Sequence, residues 1–244
     1  MAALVRLEVE EKRFGSDVVL GRLSLHLPAG EFIALLGPSG AGKTTLLRML
    51  AGLDEDYRGE LITDGEGPNR PSLGFLFQEA RLMPWLTALQ NLVLVTGDEE
   101  RAREALQSVG LTAAADRFPH QLSGGMQRRV ALARAVVCAP RLLLLDEPFV
   151  SLDQPSAAAL RSQLLEHWRQ SRPTVVLVSH DLDEALELAD RIVFLGGRPA
   201  TVVHEEPVTL ARPRDGRGGT LLELRRRLLD RHPELLRGQV GEDR

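Results

Sequence analysis

The spacing of apolar residues changes several times along this chain, and each change marks a change of element. Leu4 to Val9, Val18 to Leu20 and Leu23 to Leu27 are short β-type runs, the last two separated by Gly21, and together they predict an antiparallel edge layer. Phe32 to Leu36 is continuously apolar and runs into a glycine-rich loop. After the loop, Leu46, Leu47 and Leu50 predict a helix that begins near Gly42 and stops at Gly52. Glu60 to Thr63 and Leu73 to Phe77 add two strands, and then the period lengthens. Ala102, Ala105, Leu106 and Val109, at i, i+3, i+4 and i+7, form one stripe of a helix with Glu99, Glu100, Arg101 and Arg103 largely outside it. Met126, Val130, Ala133 and Val137 trace a second stripe, so residues 80–137 read as a mostly helical subdomain inserted between strands.

Strand rhythm returns at Arg141 to Leu145, Thr174 to Val178 and Arg191 to Leu195. Leu160, Leu164 and Trp168 mark one intervening helix. Leu182, Ala185, Leu186 and Ala189 mark another, opened by Asp181 and Glu184 at capping-box spacing. Continuous apolar strands alternating with helices predict an α/β fold whose core sheet is mainly parallel and covered on both faces. The expected organisation is one domain over 1–244. Residues 1–79 and 138–210 form its core and β layer, 80–137 the helical insertion, and 211–244 a tail with a helix over 220–232.

At 244 residues, with 43% apolar and 26% charged positions, the chain can bury a substantial core, and general disorder is excluded. A net charge of −4 argues against a large phosphate-tracking surface, so no nucleic-acid partner is expected. Arg212, Arg214, Arg217, Arg225, Arg226, Arg227 and Arg231 cluster late in the chain but are interrupted by Asp215, Glu223 and Asp230, which reads as a solvated surface. The lone Cys138 reads as a small apolar packing residue. Charges break up the first residues, and no apolar run approaches the roughly 20 residues that span a bilayer, which predicts a cytosolic protein.

Gly37-Pro38-Ser39-Gly40-Ala41-Gly42-Lys43-Thr44 fits the phosphate-loop pattern in its required setting between strand and helix, with Thr45 continuing the helix. Glycines let successive N–H groups turn inward while the helix presents its positive end; Lys43 can reach the β and γ phosphates of ATP, and the Thr44 hydroxyl can ligate Mg2+. Lys12 and Lys43 are the only lysines in this arginine-rich chain, and one of them stands where a compact point charge suits a crowded loop. Leu142 to Asp146-Glu147 supplies the complementary acids: Asp146 at a buried strand end for the metal, Glu147 as general base toward an attacking water. Leu122-Ser123-Gly124-Gly125-Met126-Gln127 looks like a second phosphate-binding device. One ATP needs only one cradle, so the duplication implies that two copies close over shared nucleotides.

These residues resemble the ATP-binding cassette family over nearly the whole chain, and Leu122 to Gln127 is similar to its signature motif. The resemblance implies a phosphate-loop NTPase cassette in a dimer, with Ser123 and Gly125, and with them Gly124 and Gln127, on the nucleotide held by the opposite subunit. It also implies that Phe14, otherwise a strand-core residue, stacks on adenine. Gln78 resembles the glutamine that senses magnesium and water, Asp153 in Ser151-Leu-Asp153 the loop at the dimer interface, and His180 the histidine beside the γ phosphate. Arg128 departs from a common glutamine after the signature, and Val150 from glycine or serine. Trp85 is a candidate partner contact, with local core packing as its alternative.

Gln78 to Leu86 and Asp146 to Asp153 further resemble the importer ATPases for nitrate, sulfonates and taurine. That group implies a permease dimer, an extracytoplasmic solute-binding protein and a peripheral position on the inner face of the membrane. An importer of pyrimidine precursors and a soluble cassette ATPase of iron–sulfur assembly stay open as alternatives. Chromosome-maintenance relatives are disfavoured, because no sustained heptad run lies between residues 45 and 120.

Overall fold

The computed structural model describes residues 3–64, 71–214 and 219–233. In chain order its elements are β1 (Ala3–Phe14), β2 (Asp17–Leu20), β3 (Leu23–Pro28), β4 (Phe32–Leu36), α1 (Lys43–Leu50), β5 (Arg58–Thr63), β6 (Leu73–Leu76), α2 (Ala88–Thr96), α3 (Glu99–Ser108), α4 (Gly124–Val136), β7 (Leu142–Asp146), α5 (Gln154–Ser171), β8 (Thr174–Val178), α6 (Leu182–Leu188), β9 (Arg191–Gly196), β10 (Thr201–Pro207) and α7 (Gly219–Arg231). They form two compact units, one of Met1–Pro71 with Thr174–Arg244 and one of Ser72–Pro173.

In the first unit, β1 pairs antiparallel with β2, β3 and β5. Leu23, Leu25 and Leu27 of β3 are buried while Ser24 and His26 are exposed, so this layer has one packed and one wet face. A second sheet runs β10-β9-β4-β8, with β4 parallel to β8 and β9 and β10 antiparallel at the edge. Every residue of β4 and β8 is buried, as parallel strands covered on both faces require. α1 buries Leu46, Leu47, Met49 and Leu50 and ends as predicted at Gly52, whose φ of 67° lets Leu53 N–H reach back 2.8 Å to Arg48 O.

Three expectations about side chains need correction. The late arginines are not uniformly solvated. Arg214 is buried and donates to the carbonyls of Leu186, Ala189, Val208 and Leu210, and Arg212 pairs with Asp190 at 2.6 Å; Asp215 and Arg217 lie outside the described residues. Asp181 caps α6, but no reciprocal capping box forms. Glu184 instead accepts the Ser179 hydroxyl at 2.7 Å, and Ser179 Oγ takes the Asp181 N–H at 3.0 Å. Cys138 is exposed rather than packed.

In the second unit, β6 and β7 pair in parallel from Leu73↔Leu142 to Leu76↔Leu145. α2, α3 and α4 share a core built from Leu92, Ala102, Leu106, Val130 and Ala133. Periodicity did not predict α2. It is opened by a complete capping box, Thr87 with Gln90, followed by a largely apolar sequence. Trp168 of α5 is buried, whereas Trp85 is 69% exposed, so it does not pack into a local core. Among the described residues no helix is long and apolar enough to cross a membrane.

Candidate nucleotide-binding site

The predicted site residues divide between the two units, and each group is built by its own local structure. In the first unit, β4 delivers the chain into Gly37 with no room for a side chain, since a Cβ there would stand 2.7 Å from Leu195 O. The loop then turns through Gly40 and Gly42, with φ of 80° and 75°, and α1 begins at Lys43. Gly42 provides no side-chain cap, and the first turn of α1 carries no acid. The N-cap position thus supplies no acceptor of its own to the leading N–H groups of this helix, which favour an anion. Lys43 is buried, and its ammonium donates to Gly37 O at 2.7 Å and Pro38 O at 2.8 Å, which holds the charge over the loop. Thr44 is exposed beside it, Thr45 half-buried.

A cleft of about 600 Å³ adjoins this loop, lined by Pro38, Ser39, Gly40 and Ala41 together with Ser16 to Val19 and Gly197 to Ala200. Phe14 stands at the end of β1, paired with Asp17 across the turn that enters this cleft, and is 54% exposed. It is therefore a surface aromatic, not a strand-core residue. Lys12 Nζ lies 4.7 Å from its ring centroid and is anchored to Asp54 Oδ1 at 2.7 Å and Asp56 O at 2.6 Å. His180 is the second residue after β8 and is exposed, between the buried Ser179 and the cap of α6. A glycine-lined helix N-terminus with a lysine over it fits a triphosphate, and the exposed Phe14 ring, two residues before the cleft residue Ser16, has the chemistry to stack on a nucleobase.

In the second unit, Ser123 is the N-cap of α4 and its Oγ accepts the Met126 N–H at 3.3 Å. Gly124 is exposed with nothing within 4 Å of an added Cβ, whereas a Cβ on Gly125 would meet Ser156 Oγ at 3.3 Å. Gln127 turns inward: its amide donates to Pro119 O at 2.9 Å and Leu122 O at 3.2 Å, bracing the turn that leads into Ser123. Asp146 ends β7 buried, Glu147 is half-buried, and Asp153 caps α5 through a 3.3 Å bond from Ser156 N–H. Gln78 is exposed two residues after β6. The buried Asp146 carboxylate at the end of β7 and the Gln78 amide carry oxygen donors of the kind a hard divalent cation such as Mg2+ takes.

The sequence reading noted Arg128 only as a departure after the signature, with no role, and did not single out Asn91. Arg128 is buried against the carbonyls of the Gln78 and Glu147 segments. Asn91, fully buried in α2, holds Met83, Leu86 and Thr87 through four bonds and so shapes the loop that presents Trp85. The available signal was a polar residue inside an apolar helical stripe, which stays buried only when its hydrogen bonds are satisfied.

The profile of the ABC transporter family matches residues 20–150, more than half of the chain. The chain is 44% identical over 231 residues to aliphatic sulfonates import ATP-binding protein SsuB 1 of Pseudomonas syringae pv. syringae, covering 93% of this chain and 95% of that protein. It is 43% identical over 237 residues to SsuB 2 of Pseudomonas syringae pv. tomato, covering 96% and 99%. Among solved structures it resembles the dimeric post-hydrolysis state of the ATP-binding cassette MJ0796 bound to ADP and Pi. There the TM-score is 0.73 at 32% identity, over 85% of this chain and all of that one. With a phosphate-shaped loop on one unit, an acidic strand end on the other and relatives matched nearly end to end, the chain belongs to the ABC transporter family of ATP-binding proteins.

Proposed function

We propose that this chain is the ATP-hydrolysing subunit of an importer for sulfonates or a similar small anion, working as a pair of cassettes beneath a membrane permease that receives solute from an extracytoplasmic binding protein. The observation that carries the ATP reading is the glycine loop that opens α1, with φ of 80° at Gly40 and 75° at Gly42 and Lys43 held over it. The sulfonate reading is supported by the relatives matched over nearly their whole length.

In this reading Gly37 to Thr45 cradle the phosphates, Phe14 stacks on the base, and Thr44, Gln78 and Asp146 hold Mg2+, which supplies charge neutralisation at the phosphates. Glu147 accepts the proton of the attacking water, and His180 fixes the γ phosphate. Ser123, Gly124 and Gly125 meet the nucleotide of the partner copy. Gln127 and Asp153 act by bracing and capping the loops that carry these contacts. Closure of two copies on ATP, and its weakening once ADP and phosphate replace ATP, is the useful work.

The test is reconstitution with the permease and binding protein. Alkanesulfonate should stimulate ATP hydrolysis where nitrate does not, and E147Q should dimerise on ATP while losing hydrolysis. Stimulation by nitrate alone would overturn the substrate, and rapid hydrolysis by E147Q would overturn the base.

A further inference from the structure

Arg128 lies on α4, four residues into the helix that Ser123 opens, and is 4% exposed. A buried guanidinium is costly unless its N–H groups find acceptors. All five find main-chain carbonyls. Nε donates to Pro148 O at 2.7 Å, Nη1 to Phe77 O at 2.5 Å and Gln78 O at 2.6 Å, and Nη2 to Glu147 O at 2.7 Å and Asp146 O at 3.3 Å. One side chain thus ties together three separate stretches: the helix of Ser123, the segment entering Gln78, and the end of β7.

The third stretch is the strained one. Glu147 has φ of 44°, in the left-handed region that residues with a side chain seldom occupy, and this angle sets where its carboxylate is aimed. The carbonyls of Asp146, Glu147 and Pro148 all accept from Arg128, so the strained peptide is gripped on both sides. Burial pushes the guanidinium pKa down to about 10, against the raising effect of Asp146 and Glu147, and Arg128 stays charged at neutral pH. Lysine, with one nitrogen, cannot span five carbonyls.

We propose that Arg128 is a positioning residue for ATP hydrolysis: it holds Glu147 in its left-handed conformation and locks the Gln78 and Glu147 segments to the helix headed by Ser123. This rests on the roles assigned to Glu147 and Gln78 above. Its signature is a loss of turnover without a loss of nucleotide binding.

R128M, R128K and R128Q in the full chain, with E147Q alongside, test it by steady-state hydrolysis, ATP-driven dimerisation and thermal unfolding. R128M and R128K should lose at least about tenfold in kcat, with KM for ATP and the dimerisation midpoint within about twofold. R128Q, which keeps two amide N–H donors, should fold and lose less. Wild-type kcat in R128M, a KM that rises in step with the loss of kcat, or failure of all three variants to fold overturns the proposal. Should E147Q itself hydrolyse ATP normally, the assigned base falls and the proposal with it; an inactive E147Q beside a fully active R128M removes only Arg128.

Discussion

Two helices in this protein begin at glycine-rich loops, and they finish their N-termini in opposite ways. α1 has Gly42 at its cap, no capping side chain and a lysine folded over the loop in front of it. α4 closes its own end, because Ser123 Oγ accepts the Met126 N–H. The first arrangement leaves both the helix field and a cation directed at an incoming phosphate. The second uses the serine as an acceptor, yet a hydroxyl still has a proton to donate. On the proposed reading the two ends would then differ in strength: α1 would hold a nucleotide alone, and α4 would only add to one already held.

The largest effect should come from emptying the stronger end. In K43A the buried ammonium is lost from the loop, and a charged hydrogen-bonding group of this kind contributes about 3 kcal/mol, or roughly 100-fold in affinity. Equilibrium binding of a fluorescent ATP analogue should show that loss, with hydrolysis undetectable. Undiminished affinity would make the two helix ends equivalent and remove the contrast.

S123R puts a long cation at the weaker end, with a different expected result. Nucleotide binding by a single copy should stay within about twofold. ATP hydrolysis by the assembled transporter should fall by roughly thirtyfold, since on the proposed reading the contact removed is the one made to the partner copy's nucleotide. Equal losses in binding and hydrolysis would show that Ser123 acts within its own chain.

Why one end was legible from sequence and the other only in part follows from what each depends on. The loop at Gly37 to Thr44 is dictated locally: Gly37 by the approach of Leu195 O, Gly42 by its positive φ, Lys43 by reach. The strands were legible for the same reason, since continuous burial in β4 and β8 leaves continuous apolar runs. Gln127 and Arg128 were not. Their partners are carbonyls of Pro119, Leu122, Phe77 and Asp146 to Pro148, and a carbonyl has no residue type to read. Cys138 was misread because a short apolar run does not reveal which of its positions faces outward.

G124A should separate folding from function. An added Cβ meets nothing within 4 Å, so replacing glycine at the start of α4 should raise stability by about 0.5 kcal/mol. On the proposed reading the same methyl would stand where the partner's nucleotide approaches, and hydrolysis should fall roughly fivefold while the melting temperature holds or rises. A parallel fall in both would mean that Gly124 serves the fold of α4.

The smallest effect belongs to a third N-terminus, that of α5, and it fixes the scale of capping alone. The Ser156 hydroxyl and N–H donate to the Asp153 carboxylate and hold its pKa below the ordinary 3.8. A depressed folded-state pKa means that the unfolded chain binds the proton more readily, so the stabilisation is complete above about pH 4 and disappears as pH falls through the folded value. D153N keeps an acceptor oxygen for the cap without the charge. Its unfolding midpoint should trail the wild type slightly at pH 7 and meet it in acid, as urea titrations across that range would show. If D153N also hydrolyses ATP normally, Asp153 is a cap and nothing more. A loss of hydrolysis with the midpoint unchanged would put the Asp153 charge itself at the interface between copies.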